Sequence, residues 1–163
     1  MNYAGVDGGK HGAVVLLDDC GRVLASHPTP LSSGVHDIQK AKAIIASFQR
    51  PFIVTCEKPI RVDRGNGSDS GFIAVKASVA FWRAAFGRSV PFTEVHPRTW
   101  IAALLSGVQG TGKQRSINFC RVFMPDLQLI PDNCHVPNDG ISDAACIAEY
   151  GRRIGKASAR GYG

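Results

Sequence analysis

No stretch of the chain approaches the roughly 20 consecutive apolar residues that a bilayer-spanning helix takes, so no membrane partner is expected. The first residues lack a charged start and a small-residue cleavage site, which predicts a chain without a secretory signal. No two cysteines are spaced as C-x-x-C. The five present, Cys20, Cys56, Cys120, Cys134 and Cys146, are odd in number and mostly embedded in apolar segments. That pattern speaks against a disulfide framework and for free buried thiols in a reducing cytoplasm. Cys134-His135 with Cys120 makes only a fragment of a zinc site, because a second closely spaced pair is missing. Charge is scarce, at 20% of residues, too little for a disordered chain. Acids are scarcer than bases, 13 against 19, and the net charge is +6. A basic surface attracts polyanions and makes their binding salt-dependent. Neither an internal repeat nor an internal domain boundary is visible. At 163 residues the chain is long enough to bury one proper core.

Apolar patterning predicts an α/β protein. Residues 3–8, 12–18 and 22–26 read as three strands joined by hairpin-length turns at Gly8-Gly9 and Asp19-Cys20-Gly21, an antiparallel meander. Residues 28–35 read as a loop. Asp37 is placed to cap a helix reaching about Phe48. Residues 52–57 read as a buried strand, stopped by Pro59. The polar, glycine-rich stretch 61–71 reads as a loop, followed by a long helix over 72–86, a strand over 90–95 and a short helix from Pro97 through Leu104. A glycine-rich loop at 107–112, a helix at 113–123, an irregular stretch at 126–137 and a helix from Asp139 to about Ile154 complete the order. Strand–helix–strand units require parallel pairing of the later strands. The expectation is a five-stranded mixed sheet with helices on both faces, forming one domain over residues 1–155, with a basic flexible tail at 156–163.

The acids that matter stand at strand ends. Asp7 closes the first strand and Glu57 closes the strand at 52–57. Asp139 and Asp143 lie four apart, so a helix puts them on one face. Carboxylates brought together repel unless a cation lies between them. Mg²⁺ takes oxygen ligands and leaves room for water and phosphate oxygens. Two such ions can activate a water and stabilise a leaving oxygen. Asp7, Glu57, Asp139 and Asp143 are therefore the candidate metal ligands and catalytic residues, with two Mg²⁺ ions as cofactor, Mn²⁺ as a substitute, and no organic cofactor. The plainer roles are a turn aspartate for Asp7, a surface salt bridge for Glu57 and a helix N-cap for Asp139. Asp63 and Asp69 fall in the polar loop and are poorer candidates.

These residues resemble a known family. Gly5-Val6-Asp7-Gly8-Gly9-Lys10-His11-Gly12-Ala13 resembles the first motif of RuvC-type Holliday junction resolvases, members of the RNase H-like superfamily. Cys56-Glu57-Lys58-Pro59 resembles the second motif, and Val95-His96-Pro97-Arg98-Thr99-Trp100 the strand and helix start after the central helix. The run from Asp139 to Ala148 resembles the closing helix with the last acids. The likeness spans residues 3–150 and is greatest for compact phage and prophage members. It implies an RNase H-like fold and a crossover junction endodeoxyribonuclease that leaves a 5′-phosphate and a 3′-hydroxyl. It also implies a homodimer cutting one strand per subunit, with the helix carrying Phe72, Phe81, Trp82 and Phe86 as a candidate dimer face. The chain departs from relatives in having Gly8-Gly9 where many have Pro-Gly, Ile101 where several have lysine, and one extra residue between Asp139 and Asp143.

Basic candidates for DNA contact are Arg61, Arg64, Arg98, Lys113 and Arg115, with Arg83 and Arg88 also placed to line a groove. Lys113 and Arg115 open a helix after a glycine-rich loop, where backbone amides and an ammonium suit a phosphate. The run Gly107 to Lys113 superficially resembles a nucleotide-binding loop but has neither its spacing nor a preceding buried strand. Phe72 is placed either in the core or on an unpaired base. His11 and His96, near strand ends, are proton-shuttle candidates whose plainer role is a satisfied polar histidine. Arg152, Arg153, Lys156 and Arg160 form a basic end. The reading is a metal-dependent endonuclease on four-way or other branched DNA. An RNA–DNA hybrid ribonuclease of the same fold and a non-catalytic junction-binding module are its rivals.

Overall fold

The computed structural model describes residues 1–61, 70–132 and 134–160 of the chain. Seven strands and five helices follow one another: β1 (Asn2–Asp7), β2 (Ala13–Leu17), β3 (Val23–Pro28), β4 (Leu31–Ser32), β5 (Val35–His36), α1 (Ile38–Ala46), β6 (Phe52–Glu57), α2 (Ser70–Phe86), β7 (Phe92–Val95), α3 (Pro97–Leu105), α4 (Gln114–Phe123) and α5 (Asp139–Arg160). The main sheet has five strands in the order β3-β2-β1-β6-β7. β1, β2 and β3 are antiparallel neighbours, and β1–β6 and β6–β7 are parallel. The expected mixed sheet is present, with the meander on one side and the parallel strands on the other.

Strand β2, Ala-Val-Val-Leu-Leu, is buried at every position. A strand sends alternate side chains to opposite faces, so an unbroken apolar strand must be covered twice. Val14 and Leu16 join Ala4, Val6, Val54 and Cys56 in a core closed by α1 and α2. Ala13, Val15 and Leu17 join a second core closed by α3, α4 and α5. The α1/α2 side is aromatic: Phe48, Phe52, Phe86 and Trp82 meet edge-on or tilted at centroid separations of 5.9–6.1 Å. Trp82 and Phe86 are therefore core residues, and Phe81 stacks on His36 at 4.7 Å. The aromatic dimer face suggested for α2 is largely spent inside the fold.

Two elements differ from the sequence expectation. A hairpin, β4–β5, occupies the segment read as a loop. Its two-residue turn, Ser33-Gly34, has φ of 49° and 77°, the pair of positive values that a tight hairpin of matching twist needs. Helix α5 continues to Arg160, so 156–160 is helical where a tail was expected. Contacts with the sheet and its turns reach as far as Gly155. Gly155 sits against the Tyr3 ring, 2.8 Å from where a Cβ would stand. Arg152 forks onto buried Glu149 at 2.6 and 2.8 Å and also donates to the Asp19 carbonyl, tying α5 to the β2–β3 turn.

Candidate active site

The site follows from strand parity. Gly5 and Thr55 are register partners on the parallel strands β1 and β6. Both face α5, which comes in almost at backbone contact. A Cβ on Gly5 would stand 2.1 Å from the Ala144 carbonyl oxygen, and one on Gly151 would stand 2.3 Å from Thr55 Oγ1. Asp7 and Glu57 lie two residues further along each strand. They share the α5 face and stand level at the C-terminal edge of adjacent strands, which are about 4.8 Å apart. Asp143 immediately precedes the helical residue that touches Gly5, so the same glycine contact delivers its carboxylate to this edge. Gly140 fits against the His11 carbonyl and Gly12, locking the start of α5 over the β1–β2 turn. On the other face Ser78 of α2 accepts the Gly9 N–H at 3.1 Å, fixing the Gly8-Gly9 exit from β1.

The three acids act on one another electrostatically. Burial, then the charges of Asp143 and Glu57, hold the Asp7 carboxyl well above the usual carboxylate range, with Lys113 acting in the opposite sense. Burial raises Glu57 as well, aided by Asp143 and opposed by a hydrogen bond from Trp100. Burial raises Asp143, opposed by a hydrogen bond from Ser116 and by Lys113. Their oxygens do not all fall within 4.8 Å of one another. Among the described residues that spacing belongs to Asp18, Asp19 and Cys20. That second acidic group sits at the β2–β3 turn, at the opposite end of the antiparallel β1–β2 pair. Asp18 there accepts the Cys20 and Arg22 N–H groups at 2.8 Å, the work of a turn residue.

Asp139 has a cationic partner. It is the first residue of α5 and pairs with Lys113 at the rim. The N-cap is its neighbour: Asn138 Oδ1 accepts the Ile141 N–H at 3.1 Å, which leaves the Asp139 side chain free of the capping role. Of the other predicted contacts, Arg98 is exposed in the first turn of α3, and Arg61 is exposed four residues past Glu57. Arg115 donates to the Leu105 carbonyl, joining α4 to the end of α3. Arg64 lies outside the described residues, as do Asp63 and Asp69. His96 caps α3, its Nδ1 accepting the Arg98 N–H at 3.2 Å, and His11 is exposed on the turn after β1.

Two residues escaped the sequence reading. Trp100, buried in α3, donates its Nε1–H to Glu57 Oε2 at 2.8 Å. Ser116, buried in α4, stands beside Asp143, donates to the Lys113 carbonyl at 3.0 Å and lies 3.1 Å from the Ser142 hydroxyl. Trp100 did carry a signal, since a buried indole requires an acceptor for its N–H. A cavity of about 360 Å³ opens beside these groups, walled by Glu57, Trp100, Ile101, Lys113, Ser116 and Asp143. The donor set is three hard carboxylates, two of them held by neutral donors, with Lys113 as the cation acting on Asp7 and Asp143. One ammonium at the rim does not balance three half-buried carboxylates, and the set suits a divalent ion of the magnesium type.

No family model and no curated protein matches the chain. Solved structures do. The chain is similar to Thermus thermophilus RuvC in complex with a Holliday junction substrate, at 19% identity and a TM-score of 0.62, covering 94% of this chain and 96% of that one. It is also similar to a second Thermus thermophilus RuvC structure, at 20% identity and a TM-score of 0.56, covering 95% of this chain and 97% of that one. The chain therefore has the RuvC-type, RNase H-like fold over nearly its whole length.

Proposed function

We propose that the protein is a divalent-metal-dependent endonuclease that cuts four-way or other branched DNA at paired sites. One observation supports this most strongly: three half-buried, mutually repelling carboxylates, Asp7 of β1, Glu57 of β6 and Asp143 of α5, come from three separate elements to one edge of a sheet. The fold is shared with a protein that was solved on a Holliday junction. Asp7, with Glu57 on the next strand and Asp143 on the helix above, would hold the divalent metal, two Mg²⁺ ions with Mn²⁺ as a substitute. When bound, such ions supply a polarised water and charge stabilisation for an in-line phosphoryl displacement.

The chain's own groups then have distinct tasks. Trp100 and Ser116 hold Glu57 and Asp143 in orientation. Lys113 receives a phosphate oxygen, and Asp139 keeps its ammonium at the rim. Arg61 and Arg98 extend the basic surface along the DNA. Two copies related by a two-fold axis present identical sites to opposing strands, which is how paired nicks arise. Among the described residues no helix is long and apolar enough to cross a membrane, and the protein acts where DNA is, in the cytoplasm of a bacterial or phage-infected cell.

A substrate panel tests the reading: labelled four-way junction, fork, linear duplex and RNA–DNA hybrid, each with and without Mg²⁺. Symmetric nicking of the junction, dependent on Mg²⁺, is expected. Preferential cutting of the hybrid reassigns the protein to a ribonuclease, and tight junction binding without cutting under Mg²⁺ or Mn²⁺ reassigns it to a binding module.

A further inference from the structure

The alternation that sends Glu57 to the α5 face sends its neighbour to the other. The Lys58 N–H still pairs with the Val95 carbonyl at 2.8 Å, so the β ladder, and with it the alternation, extends to Lys58. Lys58 projects to the α2 side and lines a cavity of about 320 Å³ there. The opposite wall is one face of α2, where Phe72, Lys76, Val79, Ala80 and Arg83 recur at helical spacing. The cationic groups of this groove are unequal. Arg83 is answered, pairing with Glu94 at 2.8 Å and lying over the Phe92 ring at 4.4 Å. Neither Lys58 nor Lys76 meets a carboxylate among the described residues.

We infer that this groove is a nucleotide subsite for the single strand that flanks the cut, with Lys58 and Lys76 holding its phosphates and Phe72 stacking a base. The inference rests on the proposed function and extends it to the other side of the sheet edge. Consecutive residues of one strand, with Cα atoms about 3.8 Å apart, present a carboxylate to one face and an ammonium to the other. A strand of nucleic acid crossing the end of β6 would pass the metal site on the Glu57 side and lay its next phosphate against Lys58. Two unanswered ammoniums beside an apolar wall with one aromatic ring fit a phosphodiester chain with an unstacked base. They do not fit an acidic peptide nearly as well, because a peptide offers no flat face to Phe72 at the spacing of its charges.

The test uses full-length protein in an Asp7→Asn background, so that binding is read without cleavage. Affinity for a fluorescein-labelled fork with one single-stranded arm is measured against salt. Lys58→Ala with Lys76→Ala should lower the slope of log K against log salt by about 1.4, at roughly 0.7 per single-strand phosphate contact. Lys40→Ala with Lys42→Ala, which removes equal charge from α1, should change the slope by less than half as much. Phe72→Ala should weaken binding about tenfold, within the range of one lost base stack, and should abolish the quenching of a 2-aminopurine placed in the single-stranded arm. Both lysine pairs are exposed, so these variants keep the fold. If the two double variants behave alike, or if the 2-aminopurine signal survives Phe72→Ala, the groove is not a nucleotide subsite even though the protein binds DNA. Failure of the parent protein to bind any DNA overturns this inference and the proposed function together.

Discussion

Replacing Asp7 by Asn should stabilise the metal-free protein, against the usual effect of altering a buried polar residue. Burial and two neighbouring carboxylates penalise the charged form of Asp7. Two unit charges about 5 Å apart, the separation of adjacent strands, repel by about 3 kcal/mol at an effective dielectric of 20. Water at the open edge reduces that figure, so the expected gain is about 1–3 kcal/mol, or roughly 2–10 °C in Tm for a chain of this size. The pH dependence carries a sign. A carboxyl whose folded pKa lies above its unfolded value binds its proton more tightly in the folded state, so stability falls as pH rises from about 4 through the raised values. The gain from Asp7→Asn should therefore be largest near pH 7.5 and vanish towards pH 4. Urea denaturation in EDTA across this range is the assay. Adding Mg²⁺ should reverse the ranking, since a ligand at a hundred times its Kd adds about 2.7 kcal/mol to the protein that binds it. An Asp7→Asn variant less stable than wild type in EDTA at pH 7.5 would refute the argument that the three carboxylates repel one another.

Gly5→Ala should cost at least about 2 kcal/mol, because its Cβ would meet the Ala144 carbonyl oxygen at 2.1 Å and the Ala148 nitrogen at 2.2 Å, forcing α5 off the sheet. Chemical denaturation reads the loss, and Mg²⁺ stabilisation should weaken with it as Asp143 retreats. Trp100→Phe removes the N–H that favours the charged form of Glu57, at a cost of about 1.5–3 kcal/mol. It should raise the Glu57 pKa further and move the acidic limb of Mg²⁺ affinity to higher pH, a shift that loss of ring volume alone does not produce. Lys113→Met removes the cation that opposes the raised carboxyls of Asp7 and Asp143. Junction affinity should fall with a salt slope smaller by about 0.9, while apo stability in acid, once the carboxyls are protonated, stays near that of wild type.

Much of this architecture was legible because periodicity reports burial directly. The unbroken apolar run of β2 demanded cover on two faces, and the meander and parallel strands followed from turn lengths and intervening helices. Asp7 and Glu57 were legible as a pair because both close strands, and parity then places both on one face. Asp143 was legible from its place on the last helix. The partners were harder to read. Glu57 depends on Trp100 and Asp143 on Ser116, residues 43 and 27 positions away in the chain, and no local pattern marks such a contact. Arg115 looked like a phosphate ligand by position at a helix start, yet its guanidinium meets the Leu105 carbonyl, a destination set by the packing of α4 on α3. The Ser33-Gly34 hairpin was hidden because two-residue strands are too short to show alternation.

The central claim is that Asp7, Glu57 and Asp143 jointly hold divalent metal. Crystals soaked in Mn²⁺ and measured at the manganese absorption edge test it most directly, since anomalous scattering places the ion without assumptions about the DNA. Anomalous peaks between the ends of β1 and β6 beneath Asp143, lost in Asp7→Asn, are the predicted result. Manganese bound only at Asp18, Asp19 and Cys20, with the strand ends empty, would contradict the account.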